Sequence, residues 1–157
     1  MPRLDRLSEL QRKSSLAHPC LLNESAPFTR LRRPLSDSRL ALVTTAGIHL
    51  RADPPFLGGD QSFRVIPSDT PPSEIVQSHA SIGFDRTAFQ RDINVVFPID
   101  RVREFAQRGE IGSFGPTYFS FMGAQRPPYD RLLQETGPEV ARQLRADGVD
   151  VVFLTGT

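Results

Sequence analysis

The side chains best suited to chemistry lie in a polar loop, residues 46–60, that directly follows an apolar segment. The loop contains His49, Arg51 and Asp53, and it ends in a Gly58-Gly59-Asp60 turn. In open α/β sheets, ligands bind just beyond the carboxyl ends of the strands, so a loop in this position is where a site is expected. We therefore take this loop as the first candidate site.

Histidine and aspartate residues in the same region could bind a metal ion, because imidazole and carboxylate groups suit several divalent ions. The candidates are His49, His79, Asp53, Asp60 and Asp85. No pair of histidines has the spacing that places two ligands on one helix face. Hydrogen bonding within loops explains the same residue types, so we predict no metal site.

Two common enzyme classes find no support in the sequence. No Gly-x-Gly-x-x-Gly fingerprint follows the first apolar segment, and Pro54-Pro55 would obstruct a helix start there, which argues against dinucleotide binding. No Gly-x-Ser-x-Gly motif is present, and Cys20 lies far in sequence from the predicted strand ends. A hydrolase triad is therefore not predicted.

Strand and helix patterns alternate along the chain from residue 39 onwards. Apolar runs predict strands at residues 39–45, 63–66, 92–98, 117–122 and 148–154. Helical spacing predicts helices at 100–108 and 130–146, the second broken or kinked at Gly137-Pro138. Residues 73–77 fit either a helical turn or a strand. The alternation predicts an α/β fold with an open, mostly parallel, Rossmann-like sheet and flanking helices.

The ends of the chain differ from its middle. Residues 1–37 are predicted to form an N-terminal arm, with a short leucine-spaced helix followed by a proline-containing stretch that has no sustained period. Residues 38–157 are predicted to be the N-terminal portion of the α/β domain. The last segment, 148–157, has the pattern of a buried strand whose faces and edge need cover. We therefore expect the domain to be incomplete at its C-terminus.

The composition is that of an ordinary globular domain. Charged residues make up 24% and hydrophobic residues 38%, with a formal net charge of +1, which favours neither disorder nor nucleic-acid binding. Cys20 is the only cysteine, so the chain has no internal disulfide framework and suits a reducing compartment. No apolar run approaches a membrane span, and the N-terminus lacks a secretory signal pattern. We expect a cytoplasmic protein that binds neither membranes nor nucleic acid.

Several separate segments resemble the selenoprotein B family of the glycine, sarcosine, betaine and D-proline reductases. They are Ala41-Leu-Val-Thr-Thr-Ala-Gly-Ile-His-Leu-Arg-Ala-Asp-Pro-Pro-Phe56, Phe63-Arg-Val-Ile-Pro67, Asp92-Ile-Asn-Val-Val-Phe-Pro-Ile-Asp-Arg101, Gly109-Glu-Ile-Gly112 and Phe121-Met-Gly123. The segments occur in a consistent order across residues 26–157. Their agreement argues against a chance match.

The resemblance implies a selenocysteine-dependent reductase that cleaves the bond between the α-carbon and the nitrogen of a small amine. In the family, the strand corresponding to residues 149–154 is followed at once by a turn that contains selenocysteine. A selenol is ionised at neutral pH and is a stronger nucleophile than a thiol. Because the selenocysteine codon is otherwise read as a stop, we expect the chain to be truncated just before it, with the nucleophile directly after Thr157. A naturally short product or a deliberately shortened chain is the alternative.

The resemblance also implies partners. In several family members a pyruvoyl group on a separate subunit holds the substrate amine as a Schiff base, and a thiol system supplies the electrons, with a disulfide formed in exchange. The expected assembly is an oligomer with such a partner subunit, a thiol donor and a small amine substrate. No cofactor is expected on this chain itself.

At positions that match the family segments, the resemblance implies roles for individual side chains. His49 is expected to act as a general acid or base and Asp53 to orient a neighbouring group, while Arg51 pairs with a substrate carboxylate. A second substrate-binding group is expected at Asp92, Asn94 and Arg101. Two alternatives remain open: a non-catalytic binding or assembly domain on the same scaffold, and a general thiol or selenol redox protein.

Overall fold

A computed structural model describes residues 4–17, 24, 29–81, 84 and 86–156. Contacts divide the chain into two units, Met1–Arg30 and Leu31–Thr157. The first contains helix α1 (Glu9–Leu16), which a capping box begins: Ser8 Oγ accepts from Gln11 N–H, and Gln11 Oε1 accepts from Ser8 N–H. None of its residues is buried. The division after residue 37 stays a prediction.

The second unit contains all the strands that the structure describes. The strands are β1 (Arg39–Thr44), β2 (Ile48–Leu50), β3 (Phe63–Pro67), β4 (Ile75–Gln77), β5 (Ser113–Phe114), β6 (Thr117–Phe121) and β7 (Val151–Thr155). The helices are α2 (Arg86–Arg91), α3 (Ile99–Gln107) and α4 (Gly137–Ala146). The predicted alternatives for residues 73–77 are both realised, as a 3₁₀ turn (Pro72–Glu74) followed by β4. No helix among the described residues is long and apolar enough to cross a membrane.

Strand β1 lies at the centre of a mixed sheet. One of its edges pairs in parallel with β7 over five residues, from Leu40↔Val151 to Thr44↔Thr155. Its other edge pairs in parallel with β5 and then with β6, and β6 pairs antiparallel with β3. Strands β2 and β4 form a separate antiparallel pair. The predicted α/β fold, with a mostly parallel sheet and flanking helices, is confirmed.

The core forms where helices cover the central strands. Ala41 and Leu42 on β1 are fully buried although they point to opposite faces, as expected of a strand covered on both sides. Phe97 packs edge-on against Tyr118 of β6, with ring centroids 5.7 Å apart. Burial of a leucine-sized or phenylalanine-sized side chain contributes about 1.5–3 kcal/mol. The central strands therefore hold their register through a large apolar contribution as well as through hydrogen bonds.

Residues 92–98 do not form a strand, so that prediction is wrong. They form a 3₁₀ turn, Ile93–Val95, in which the Asp92 carboxylate accepts the Asn94 backbone N–H at 2.9 Å. Val96 and Phe97 are buried beside the sheet rather than within it. A short apolar run bounded by proline fits a buried turn as well as a buried strand, and aspartate side chains favour turns by bonding the backbone two residues on.

The helical region predicted for residues 130–146 exists and is continuous. A π-helical segment, Leu132–Thr136, leads directly into α4, and the Gly137 N–H bonds to the Leu132 carbonyl oxygen. The widened turn has a local cause, because Pro138 lacks an N–H and its ring crowds the carbonyl four residues earlier. A side chain at Gly137 would place its Cβ 2.7 Å from the same oxygen. The predicted break is therefore a bulge within one helix.

Strand β7 is more exposed than its apolar sequence suggests. The predicted strand of residues 148–154 is observed at Val151–Thr155, where it pairs with β1 alone among the described strands. Val152, Phe153 and Leu154 are 38%, 51% and 71% exposed. The faces of this strand are predicted to need cover, and the described part of the chain leaves three of its apolar side chains more than one-third exposed.

A methyl group at Gly112 should destabilise the fold. An added Cβ would lie 2.7 Å from the Asp37 carbonyl carbon and 2.8 Å from the Ser36 carbonyl oxygen, both backbone atoms. We expect Gly112→Ala to lower the free energy of unfolding by about 1–3 kcal/mol, the usual cost of overpacking. Gly58→Ala is the matched control, because its Cβ would meet nothing within 4 Å. Urea denaturation measures both, and equal stability of the two variants would contradict the close approach.

Candidate functional site

The carboxyl ends of β1, β6 and β7 meet at one edge of the sheet, which we call the carboxyl edge (residues 44–47, 120–122 and 155–156). The Thr44 and Thr155 hydroxyls both donate to the Val96 carbonyl oxygen, at 3.0 Å and 2.8 Å. The Ser120 hydroxyl accepts the Ile48 N–H at 3.0 Å. These hydroxyls tie the strand ends to the turn that precedes α3 and to β2.

Gly47 turns the chain sharply at the carboxyl edge. Its φ of 61° lies in the left-handed region that favours glycine. Its N–H donates to the Phe121 carbonyl oxygen at 2.9 Å, and its own carbonyl oxygen accepts the Ser78 N–H at 3.0 Å. A Cβ at this position would lie 3.1 Å from the Cα of His79 and 3.3 Å from the sulfur of Met122. The glycine thus lets the segment carrying His79 approach the end of β6.

His79 is the most deeply buried imidazole at this edge, with 1% of its surface exposed. Its Nδ1 accepts the Ser81 backbone N–H at 3.2 Å, and its ring stacks on Phe84 with centroids 4.6 Å apart. Burial lowers the pKa of His79, and the nearby Arg86 guanidinium lowers it further. Its Nε2 has no hydrogen-bond partner among the described residues. His79 is therefore a neutral histidine with one unused buried nitrogen.

Gln125 presents a second unused buried atom. Its side-chain N–H groups donate to the carbonyl oxygens of Asp60 and Met122, at 2.6 Å and 2.9 Å. Its Oε1 is buried and has no partner among the residues that the structure describes. The preceding Ala124 has a φ of 53°, which is uncommon for a residue with a side chain. The amide is fixed by its two donors, so its oxygen is held in one orientation.

A pocket of about 500 Å³ opens beside these two residues, and we call it the carboxyl-edge pocket. It is lined by Gly58, Gly59, Ala80, Ser81, Met122, Ala124 and Arg126. The lining includes the two residues that follow His79 and the two that flank Gln125. Gly58 and Gly59 belong to the first candidate loop, but none of the side chains to which the sequence assigned a role belongs to this lining.

The loop that borders the pocket is held by one half-buried ion pair. Arg64 binds the Asp60 carboxylate at 3.3 Å, donates to the Pro54 carbonyl oxygen at 3.0 Å and lies 4.3 Å over the Phe56 ring. Burial alone would raise the pKa of Asp60, but hydrogen bonds from Ser62 and the charge of Arg64 outweigh it and leave that pKa below its usual value. The carboxylate therefore stays charged and keeps the loop closed against β3.

The three candidate side chains of the first loop have different surroundings in the structure. His49 lies on β2 rather than in a loop, is 5% exposed, and its Nδ1 lies 2.7 Å from the Leu50 carbonyl oxygen. The Asp53 carboxylate accepts the Leu50 N–H at 3.1 Å and so closes the turn after β2. Arg51 is exposed and donates to the Ser73 carbonyl oxygen at 3.2 Å. Their proposed chemical roles stay predictions.

The second candidate group forms a local network at the start of α3. Asn94 donates to the Asp92 and Asp100 carboxylates at 2.8 Å and 3.1 Å, and its Oδ1 accepts the Asp100 N–H at 3.0 Å. Hydrogen bonds from the Asn94 backbone and side chain hold the pKa of Asp92 below its usual value. Arg101 is paired with Glu104 at 2.8 Å. Ser73, which Arg51 binds, borders the same shallow groove as Asp92 and Asp100, so the two candidate groups share one neighbouring segment.

The described residues contain no cluster of three His, Cys, Asp or Glu side chains that could hold a metal ion. Cys20 and Asp85 lie outside the described residues. Gln125 and Arg126 were not among the sequence candidates, whereas His79 was considered as a metal ligand or as a hydrogen-bonding loop residue. Their position directly after the Phe121-Met122-Gly123 segment, at the end of a predicted strand, is the signal that could have found the first two.

Comparisons with known proteins agree with the resemblance. Residues 23–157 match the family model of the glycine/sarcosine/betaine reductase selenoprotein B. The chain is 44% identical over 129 residues to the D-proline reductase subunit gamma of Acetoanaerobium sticklandii, which covers 82% of this chain and 52% of the relative.

More distant relatives come from other reductases. The chain is 27% identical over 135 residues to the glycine reductase complex component B subunit gamma of Carboxydothermus hydrogenoformans, and 28% identical over 131 residues to the betaine reductase complex component B subunit beta of Peptoclostridium acidaminophilum. Each alignment covers 80% of this chain and 29% of the relative. The chain thus spans about half the length of the first relative and under a third of the others. No solved structure matches the chain.

Protonation of His79 should lower the free energy of unfolding in acid. Because the folded-state pKa lies below the unfolded value of about 6.5, the unfolded state binds the proton more readily. The contribution is complete above pH 6.5 and is lost as the pH falls below that value. We expect the free energy of unfolding to decline less steeply below pH 6.5 in His79→Gln than in the unmodified chain. Parallel pH profiles for the two proteins would contradict this account.

Asn94 should stabilise the start of α3. Asn94→Ala removes the acceptor for the Asp100 N–H, and the loss of such a cap costs about 1 kcal/mol. Gln90→Ala, on the exposed side of α2, is the control and should change the free energy of unfolding little. Chemical denaturation checks both, and an unchanged stability of Asn94→Ala would remove the structural role.

Proposed function

The chain belongs to the glycine/sarcosine/betaine reductase selenoprotein B family, and we propose that it forms part of a multi-subunit reductase that cleaves the bond between the α-carbon and nitrogen of a small amine. The observation that carries the proposal is the 44% identity to a D-proline reductase subunit, against 27% and 28% for the glycine and betaine reductase components. D-proline is therefore the substrate we propose first.

The proposed reaction needs a reductant. Cleavage of the carbon–nitrogen bond of D-proline opens the ring to 5-aminopentanoate and consumes two electrons and two protons. A dithiol that becomes a disulfide supplies both. A thiol donor requires a reducing compartment, which favours the cytoplasm as the location.

The nucleophile of the proposed reaction would be a selenol, and none of the 157 residues is a selenocysteine. By the resemblance, a selenocysteine turn would follow β7 and would therefore lie at the carboxyl edge, where β7 ends in register with Thr44. A positive charge there would suit an anionic selenolate, and Arg126 borders the pocket at this edge. When present, the selenol would supply the attacking electron pair. The pyruvoyl group that the resemblance implies is proposed for a partner subunit. The relatives that are named as components of reductase complexes support the existence of partner subunits.

The first candidate group, His49, Arg51 and Asp53, is proposed to transfer a proton and to bind a substrate carboxylate. A carbonyl oxygen only accepts, so the contact between His49 Nδ1 and the Leu50 carbonyl places the proton of a neutral ring on Nδ1. That leaves Nε2 as the acceptor, which supports the proposal of His49 as a general base. Arg51 has an exposed guanidinium that suits a substrate carboxylate. Asp53 fixes the turn between them, and the group of Asp92, Asn94 and Arg101 is proposed as a second binding region.

The native complex that contains this chain should reduce D-proline in the presence of a dithiol. Isolation of the complex through a tag on this chain, followed by detection of 5-aminopentanoate by mass spectrometry, tests the proposal. Glycine, sarcosine and betaine are the comparison substrates, and we expect kcat/KM for each to be at least tenfold lower. A complex with no turnover of any of the four would favour a non-catalytic assembly role.

Variants of the same complex should distinguish residues that take part in the reaction from residues that only support the structure. We expect His49→Asn to lower kcat by about 100-fold or more if His49 transfers a proton, and Arg51→Met to raise KM by about tenfold. Arg145→Met, an exposed arginine on α4, is the control for Arg51→Met. Unchanged turnover of His49→Asn would remove His49 from the mechanism.

A further inference from the structure

The lining of the carboxyl-edge pocket contains one charged side chain, Arg126, and no carboxylate. Arg126 makes no ion pair or hydrogen bond within the part of the chain that the structure describes. Asp60, which follows the pocket residue Gly59, is already bound by Ser62 and Arg64. An unpaired guanidinium with no carboxylate in the same lining gives the pocket a positive charge, which favours an anionic ligand.

Backbone donors in the same lining add to this preference. The N–H groups of Gly58 and Gly59 make no hydrogen bond among the described residues. Gly59 has a φ of 77°, and successive N–H groups in turns that contain a left-handed residue form concavities that bind anions. A Cβ at either glycine would meet nothing within 4 Å, so this side of the pocket is open to a ligand.

Part of the remaining lining is apolar. Met122 is 2% exposed, and Ala80 and Ala124 contribute methyl groups. The volume of about 500 Å³ lies within the range of about 300–1,000 Å³ that is usual for small-molecule sites. Apolar walls favour the hydrocarbon part of an organic acid and give an inorganic anion nothing in return for its hydration. The pocket therefore suits a small organic carboxylate better than phosphate.

The pocket lies at the strand ends where the proposed nucleophile would stand. Met122 forms a bridge with Ala46, and the Thr45 N–H donates to the Thr155 carbonyl oxygen at 3.0 Å, so the ends of β6, β1 and β7 are in contact in series. In the proposed reaction the α-carbon of the substrate is attacked, and the substrate carboxylate is bonded to that carbon. The amine is held by the partner subunit, so the carboxylate is the charged group left for this chain to bind.

We propose that Arg126 and the N–H groups of Gly58 and Gly59 bind the carboxylate of the amino-acid substrate, with its hydrocarbon part against Met122. The inference deepens the proposed function and rests on it, because the choice of D-proline as the probe follows from it. Arg51, which is also proposed for the substrate carboxylate, does not belong to this lining, so each arginine has its own test.

Binding of D-proline to the full chain, measured by NMR titration of the backbone amides, tests the carboxylate contact. D-prolinol has the ring and the amine of D-proline but a hydroxymethyl group in place of the carboxylate. We expect D-proline to bind at least about tenfold more tightly than D-prolinol and to shift the amide resonances of Gly58 and Gly59. Arg126→Met should reduce this preference to within about twofold, and Arg126→Lys should keep part of it. Arg145→Met, on α4, should leave it unchanged.

A negative charge on the pocket wall tests the site while Arg126 stays in place. Ala80 is exposed and belongs to the lining, so a substitution there should change the free energy of unfolding little. Ala80→Glu adds a carboxylate to the lining and should weaken D-proline binding about fivefold. Ala80→Gln, whose side chain has nearly the same size and no charge, is the matched control and should bind more tightly than Ala80→Glu.

Three results would overturn the site: no binding of D-proline to the unmodified chain, a preference over D-prolinol that survives in Arg126→Met, or tighter binding of inorganic phosphate at the same amides. In the native complex, Arg126→Met should raise KM for D-proline about tenfold. Turnover by that complex with an unchanged KM would leave the proposed function standing without this site. The expected preference in the chain, together with no turnover by the complex, would support the site and remove the reductase activity.

Discussion

The parallel pairing of β1 with strands on both its edges is the constraint on which the rest of the structure depends. β7 occupies one edge over five residues, and β5 and β6 occupy the other. Because the strands are parallel, their carboxyl ends come to the same edge of the sheet. A chain segment that leaves any of these strands therefore enters the same region, and the site arises from this alignment rather than from one loop.

Buried polar contacts then shape that edge. The Val96 carbonyl oxygen joins the ends of β1 and β7 through two threonine hydroxyls, and Gly47 brings the His79 segment against Met122. These contacts leave two hydrogen-bonding atoms unused next to a pocket. Asn94, by contrast, has its polar atoms satisfied locally by bonds to both neighbouring carboxylates. The Asn94 network therefore serves the fold, whereas the carboxyl edge keeps hydrogen-bonding atoms that the described residues do not use.

Much of the fold could be predicted because its patterns are local. The apolar run of β1 and the helical spacing of α3 and α4 each arise from side chains a few residues apart. The prediction failed at residues 92–98, where the carboxylate of Asp92 and the ring of Pro98 favour a turn over a ladder. The exposure of Phe153 and Leu154 on β7 could not be read from the apolar run itself, because the cover of a strand comes from segments distant in sequence.

The sequence alone determined the α/β class and the family, since these follow from local periodicity and from motifs that occur in order along the chain. The region of the site remains a prediction from the same motifs. Only the tertiary structure decided which side chains meet. It placed His49 on β2 with its Nδ1 against a backbone carbonyl. It also brought the segments of His79 and Gln125, which are 46 positions apart, to the neighbourhood of Met122. Long-range packing and the left-handed turn at Gly47 produce that meeting, and no local pattern encodes the partner of a buried atom.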